Sequence, residues 1–142
     1  MKRIFERGGD IREFNGEAGY GVYAYVAPSN AMKKYYAGNG ESLYKIIPKD
    51  DAMFLDFTND DYLLNMLIDY MREHSKKMGK EMQFYIPPKI NKTNYHRYGN
   101  IIEEFIMNNY SDVDGWIVQH KGVEIPTGKQ VVIRNLDSVD IL

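Results

Sequence analysis

Short apolar runs separated by polar or glycine-bearing breaks dominate the chain, and two longer stretches carry apolar residues at helical spacing. Val22-Tyr23-Ala24-Tyr25-Val26, Ser42 to Ile47, Met53 to Phe57, Trp116 to Gln119 and Gln130 to Arg134 are rich in β-branched and aromatic side chains, which predicts strands. Arg3 to Arg7 predicts a first strand running into Gly8-Gly9-Asp10, and Gly16 to Gly21 a second glycine turn. Leu63, Met66, Leu67, Tyr70 and Met71 fall on one stripe, so a long helix is predicted from a Thr58 or Asn59 cap, through a cationic end at Arg72 to Lys80, to a stop at Gly79. Ile101, Ile102, Phe105 and Ile106 predict a second helix within Thr93 to Tyr110. A short helix over Ala31 to Ala37, a strand over Met82 to Ile86 and a last strand over Val139 to Leu142 complete the pattern. The expectation is an α+β fold with two or three helices in one domain over residues 1–142.

Composition narrows the chemistry. The chain of 142 residues has no cysteine, so a disulfide scaffold, a thiolate metal site and a cysteine nucleophile are excluded. No apolar stretch approaches the ~20 residues needed to cross a bilayer, and the N-terminus has no apolar signal core. A soluble, cytoplasmic protein without membrane contact is therefore expected. With 18 basic and 20 acidic side chains the formal net charge is -2, too little field to hold duplex DNA or RNA by charge alone.

The titratable groups form no familiar spacing. His74, His96 and His120 fall in three different predicted elements, so no metal site is expected. Asp112-Val113-Asp114-Gly115 opens like a calcium loop but lacks the third acid and the terminal glutamate, and it predicts a turn. Asn91-Lys92-Thr93 matches a glycosylation sequon by chance, and Lys76, Lys77, Lys80, Lys89 and Lys92 suit a solvated helix end. Neither GxxxxGK[ST] nor GxGxxG occurs.

A resemblance attaches to the two ends of the chain. Glu6-Arg7-Gly8-Gly9 resembles the first-strand motif of the ADP-ribosyltransferase superfamily, and Gly19-Tyr20-Gly21-Val22-Tyr23-Ala24, with Ser29-Asn30-Ala31 and Tyr35-Tyr36, is similar to the GxGxYF stretch of its poly(ADP-ribose) polymerase branch. Lys129 to Val139 is similar to the family's NEYIVYD strand and the segment after it, and Ser42 to Phe57 looks like its third-strand region, while residues 58–112 match no part of the pattern. The resemblance implies a core of split antiparallel sheets and NAD as substrate, with no metal. It implies that Arg7 and Gly8 hold the nicotinamide ribose, that Tyr23 stacks on the nicotinamide, and that Tyr36 belongs to the same pocket. It further implies transfer of one ADP-ribose to a macromolecular acceptor, with a protein side chain the broader expectation than nucleic acid, by an effector of bacterial or phage type.

Departure from the pattern falls at the catalytic carboxylate. Gln130 stands where the family places its glutamate, and an amide neither carries charge to stabilise an oxocarbenium ion nor acts as a base. Three readings stay open: Glu124, in the preceding loop, supplies the carboxylate; the protein is a slow transferase or a binder; or the glutamine is an introduced, inactivating change. A binding module on the same fold, holding a nucleotide or a protein partner without chemistry, is the alternative function.

Overall fold

A computed structural model describes residues 4–8, 11–26, 43–81, 89–120 and 128–142, and in it the apolar runs become strands of an α+β fold. The strands are β1 (Phe5–Gly8), β2 (Phe14–Gly16), β3 (Gly19–Val26), β4 (Leu43–Pro48), β5 (Phe54–Asp56), β6 (Gly115–His120), β7 (Gly128–Ile133) and β8 (Val139–Ile141). They form one sheet in the order β5-β6-β7-β3-β1-β4-β8, with β2 paired to β3 as a hairpin. The sheet is mixed, because β5 runs parallel to β6 while the other pairs are antiparallel.

This sheet is curled back on itself. Four strand-to-strand steps separate β5 from β1, about 19 Å across a flat sheet. Yet Phe54 of β5 and Phe5 of β1 meet edge to face with ring centroids 5.4 Å apart. The connection between β4 and β5 requires the same curvature. Its five residues, Lys49 to Met53, include a tight turn closed by Ala52 N–H to Lys49 O at 3.0 Å. A flat sheet would ask it to span about 24 Å, beyond the ~22 Å reach of the fully extended segment.

Strand alternation assigns each side chain to the inside or the outside of the curl. Phe5, Val22, Ala24, Ile46, Ile117, Val131, Ile133 and Val139 form one buried cluster on the inner face. Tyr23, Trp116, Val118 and Val132 face outward and belong to the second cluster, which the helices cover. Among the described residues β1 carries the shortest ladder of the sheet. Its ladder with β4 runs over four positions, Phe5↔Ile46 to Gly8↔Leu43, whereas its ladder with β3 has two, Phe5↔Val26 and Glu6↔Tyr25.

Helix α1 (Asp61–Glu81) buries Leu63, Leu64, Leu67, Ile68 and Met71, each worth roughly 1.5 to 3 kcal/mol against water. The predicted stripe therefore holds, with two corrections. Asp60 is the residue whose carboxylate caps the first turn, accepting from Leu63 N–H at 3.0 Å, and the helix passes through Gly79 to Glu81. The second predicted helix is divided into a 3-10 turn (Tyr95–Arg97) and helix α2 (Gly99–Asn109). The break lies at Tyr98, just before Gly99, against which the β2–β3 turn is packed: a Cβ added at Gly99 would lie 2.8 Å from the Glu17 carbonyl oxygen. The strand β2, absent from the sequence expectation, is a three-residue segment, Phe14-Asn15-Gly16, that its pairing with β3 defines. The turn expected at Asp112 to Gly115 lies slightly earlier, closed by Val113 N–H to Tyr110 O at 3.2 Å, and Gly115 already opens β6; Asp114 accepts Met53 N–H on its carboxylate at 2.8 Å, and Arg134 and Asn135 N–H on its carbonyl.

The expected helix at 31–37, the strand at 82–86, Tyr36 and Glu124 lie outside the described residues.

Candidate functional site

Arg7 is the penultimate residue of β1, just beyond the last rung shared with β3. It alternates with Glu6 and shares a side with Phe5, which places it on the inner face of the curl. Its Nη1 donates to the Tyr23 carbonyl oxygen at 2.8 Å, bridging the seam where the ladder has ended. Gly8 follows, still paired to Leu43 of β4. The guanidinium and the strand backbone of Arg7 and Gly8 thus lie where the β1–β3 ladder ends, within one continuous sheet.

Tyr23 is on β3 beside this seam, but its ring points the other way. The ring is stacked on Phe14 at a centroid distance of 4.5 Å and 25° between planes, and Gly16 closes on its phenolic end. The hydroxyl donates to Gly19 O at 2.5 Å and accepts from Ala18 N–H at 3.0 Å, and burial, ahead of the nearby Glu103 and Glu17 charges, raises its pKa above the usual tyrosine value. This side chain locks the β2–β3 turn, and one of the flat faces expected to receive a nicotinamide is covered by Phe14. What Tyr23 offers the seam is its carbonyl.

Gln130 is on β7, opposite Tyr25 of β3 and Val118 of β6. β7, β3 and β1 are consecutive in the sheet, so the three sequence-selected residues do converge on neighbouring strands. Their side chains do not share a face. Gln130 alternates with the inward Val131 and is directed to the outer, helix-covered side, as Tyr23 is, while Arg7 is inside. Gln130 is 8% exposed, and its Oε1 is buried without a hydrogen-bond partner among the described residues.

A second constellation was invisible to spacing rules. His120 ends β6 opposite Gly128, and His96 lies in the 3-10 turn, their rings 5.0 Å apart with a 58° tilt. The turn is fastened to the sheet by Tyr95, whose hydroxyl accepts Gln119 N–H at 2.9 Å. Glu17 reaches them from the β2–β3 turn, held against α2 by the missing side chain of Gly99. One donor atom from each of the three lies within 4.8 Å of the others. Both histidines are buried and Glu17 is exposed. Burial, aided by the positive potential of His120 and Arg97, pushes the His96 pKa down to about 4, so its imidazole is neutral near pH 7. Sequence contained one hint: His120 continues the buried period of Trp116 and Val118, an odd place for a polar ring.

Next to this turn, Tyr20, Glu103, Ile106, Met107, Trp116 and Arg134 line a cleft of about 230 Å³. Its charges are engaged within the fold: Glu103 accepts Tyr20 N–H, and Arg134 donates to Ser111 O at 2.6 Å and to Val113 O.

Comparison with known proteins adds little. No protein-family model and no curated protein sequence matches this chain. A crystal structure of an anti-CRISPR protein is similar over 99% of this chain and 94% of its own, at 13% identity and a TM-score of 0.45.

Proposed function

We propose that this chain is an NAD-dependent ADP-ribosyltransferase whose substrate enters at the β1–β3 seam, with Arg7 and Gly8 at the nicotinamide-ribose end. The observation that carries the reading is the placement of Arg7: on the inner face of the curled sheet, where the β1–β3 ladder ends. The resemblance implies split antiparallel sheets, whereas the strands form one continuous mixed sheet; what supports the reading is the short β1–β3 ladder beside Arg7.

The chemistry suits that position. In the transfer, the bond between ribose C1′ and the nicotinamide nitrogen breaks with its electron pair going to nicotinamide, and C1′ passes through an oxocarbenium ion captured by an acceptor nucleophile, which releases a proton. A guanidinium presents a planar fork of donors to ribose hydroxyls or diphosphate. Backbone at an interrupted ladder can take the place of a missing strand for the carboxamide, which has one acceptor and two donors like a primary amide side chain. Tyr23 positions Arg7 through its carbonyl instead of stacking on the ring. The acceptor is proposed to be a protein side chain, and the protein an effector of bacterial or phage type.

Gln130 favours a second reading at the level of turnover. It lacks a charge and faces away from Arg7, which suits a protein that binds NAD and transfers slowly or not at all. One experiment separates the cases. Incubation with labelled NAD and lysate should release nicotinamide and label a macromolecule, and Arg7→Ala should abolish both. NAD binding by calorimetry without nicotinamide release selects the binder, and absence of binding removes both readings.

A further inference from the structure

We propose that His96, His120 and Glu17 form a binding site for one divalent metal ion of the zinc class, with a fourth position open to water. The site is independent of the NAD reading and lies on the outer, helix-covered side of the sheet.

Donor chemistry comes first. Two imidazoles and a carboxylate make an N₂O set, which suits zinc and its late first-row neighbours, whereas calcium and magnesium require six or more oxygens. Three protein ligands with a vacant fourth position is the arrangement of zinc ions that retain a water molecule.

Geometry comes second. Around a tetrahedral ion with bonds of ~2.0 to 2.1 Å, donor atoms sit roughly 3.3 Å apart. The present donors lie within 4.8 Å of one another. The gap left for any pair is therefore at most about 1.5 Å, and Glu17 is the exposed member of the three. The elements that carry the histidines are anchored: His120 by its rung with Gly128, the turn of His96 by the Tyr95–Gln119 bond. Glu17 is the ligand exposed to solvent.

Third, the surroundings hold an acceptor with nothing to accept. Gln130 is two residues from Gly128 on the same strand and face, and its Oε1 is buried and without a hydrogen-bond partner among the described residues. A water molecule on the open metal position is the donor such an oxygen lacks. The pairing of two histidines has a plainer explanation, ring packing in a core, which predicts indifference to metal.

The test uses the full chain after treatment with EDTA and dialysis. Titration with Zn²⁺ by calorimetry should give one equivalent bound, a raised melting temperature, and reversal by EDTA. Co²⁺ in place of zinc should give the intense visible bands of four-coordinate ligation. His96 and His120 are core residues whose replacement risks the fold, so the deciding variant is Glu17→Gln, at an exposed turn. It should weaken zinc affinity at least tenfold. The control is Glu104→Gln, beside the separate, surface pair His74–Glu104 at 3.7 Å. Loss of affinity confined to Glu17→Gln supports the site. No uptake by the native chain, or any other pattern between the two variants, overturns it.

Discussion

Trp116 and Ala18, 98 positions apart in the chain, are joined by a buried hydrogen bond from the indole Nε1–H to the Ala18 carbonyl at 2.8 Å. The bond clasps the β2–β3 turn onto β6, and it aligns Glu17, the preceding residue, with the two histidines. Trp116→Phe keeps an aromatic ring but leaves the Ala18 carbonyl buried and unpaired, a loss of about 1 to 3 kcal/mol. Urea denaturation should show the unfolding free energy fall by that amount, with a correspondingly lower midpoint. Zinc affinity should fall with it, since the turn that carries Glu17 is loosened; unchanged affinity would count against the proposed ligand set.

Alkaline pH should unfold the protein through its buried phenols. Burial, only partly offset by the bond from Gln119 N–H, lifts the Tyr95 pKa to about 12, and Tyr23 shifts the same way. A raised folded-state value means that the stabilisation is whole below the unfolded value of ~10 and is lost as pH climbs from there through 12. Tyrosinate absorbance should therefore rise in two steps, the exposed phenols first and the buried pair together with loss of the circular dichroism signal. Titration of all phenols before unfolding would contradict the burial of Tyr95.

Gly99→Ala probes the contact that brings Glu17 inward. The new Cβ would meet the Glu17 carbonyl at 2.8 Å, and since that neighbour is backbone, the turn has to move away from α2. In an ordinary exposed helix the same change stabilises by up to ~1 kcal/mol. Here crowding should reverse the sign, with a net destabilisation of roughly 1 to 3 kcal/mol by thermal melting. A stabilised variant would show that the turn is not packed on the helix start.

These contacts explain which parts of the molecule the sequence revealed. Strands such as Val131 to Ile133 and the stripe of α1 are announced by local composition and period, and both form where expected. Phe14–Gly16 has neither signal, because three residues are too few to show a period and the strand exists only through its partner. Periodicity also runs on through Tyr98, so the division of the second helix is set by a tertiary contact at Gly99. The face of the sheet on which a residue lands follows from register, and that separates Arg7 from Gln130 although their strands are near neighbours. For the histidines the limit is of the same kind. Glu17, His96 and His120 are donated by three elements far apart in sequence, a spacing that no motif records.

Gln130→Glu bears on the catalytic reading most directly. On motif grounds the change restores the family carboxylate and should restore turnover. The structure gives a different expectation, because position 130 is 8% exposed and faces away from Arg7. Burial disfavours the charged form, so the new carboxyl should have its pKa raised and stay largely protonated. Such a group contributes its stability below the unfolded value of ~4.3 and loses it as pH rises, so the variant should lose most stability relative to the native chain above neutrality. Melting temperatures across a pH series, read beside nicotinamide release, check both halves of the argument. The expected result is a pH-dependent loss of stability with release no faster than in the native chain. A gain of about 10² in release would instead place the side chain at the reacting ribose, and the assignment of faces drawn from the register would have to be abandoned.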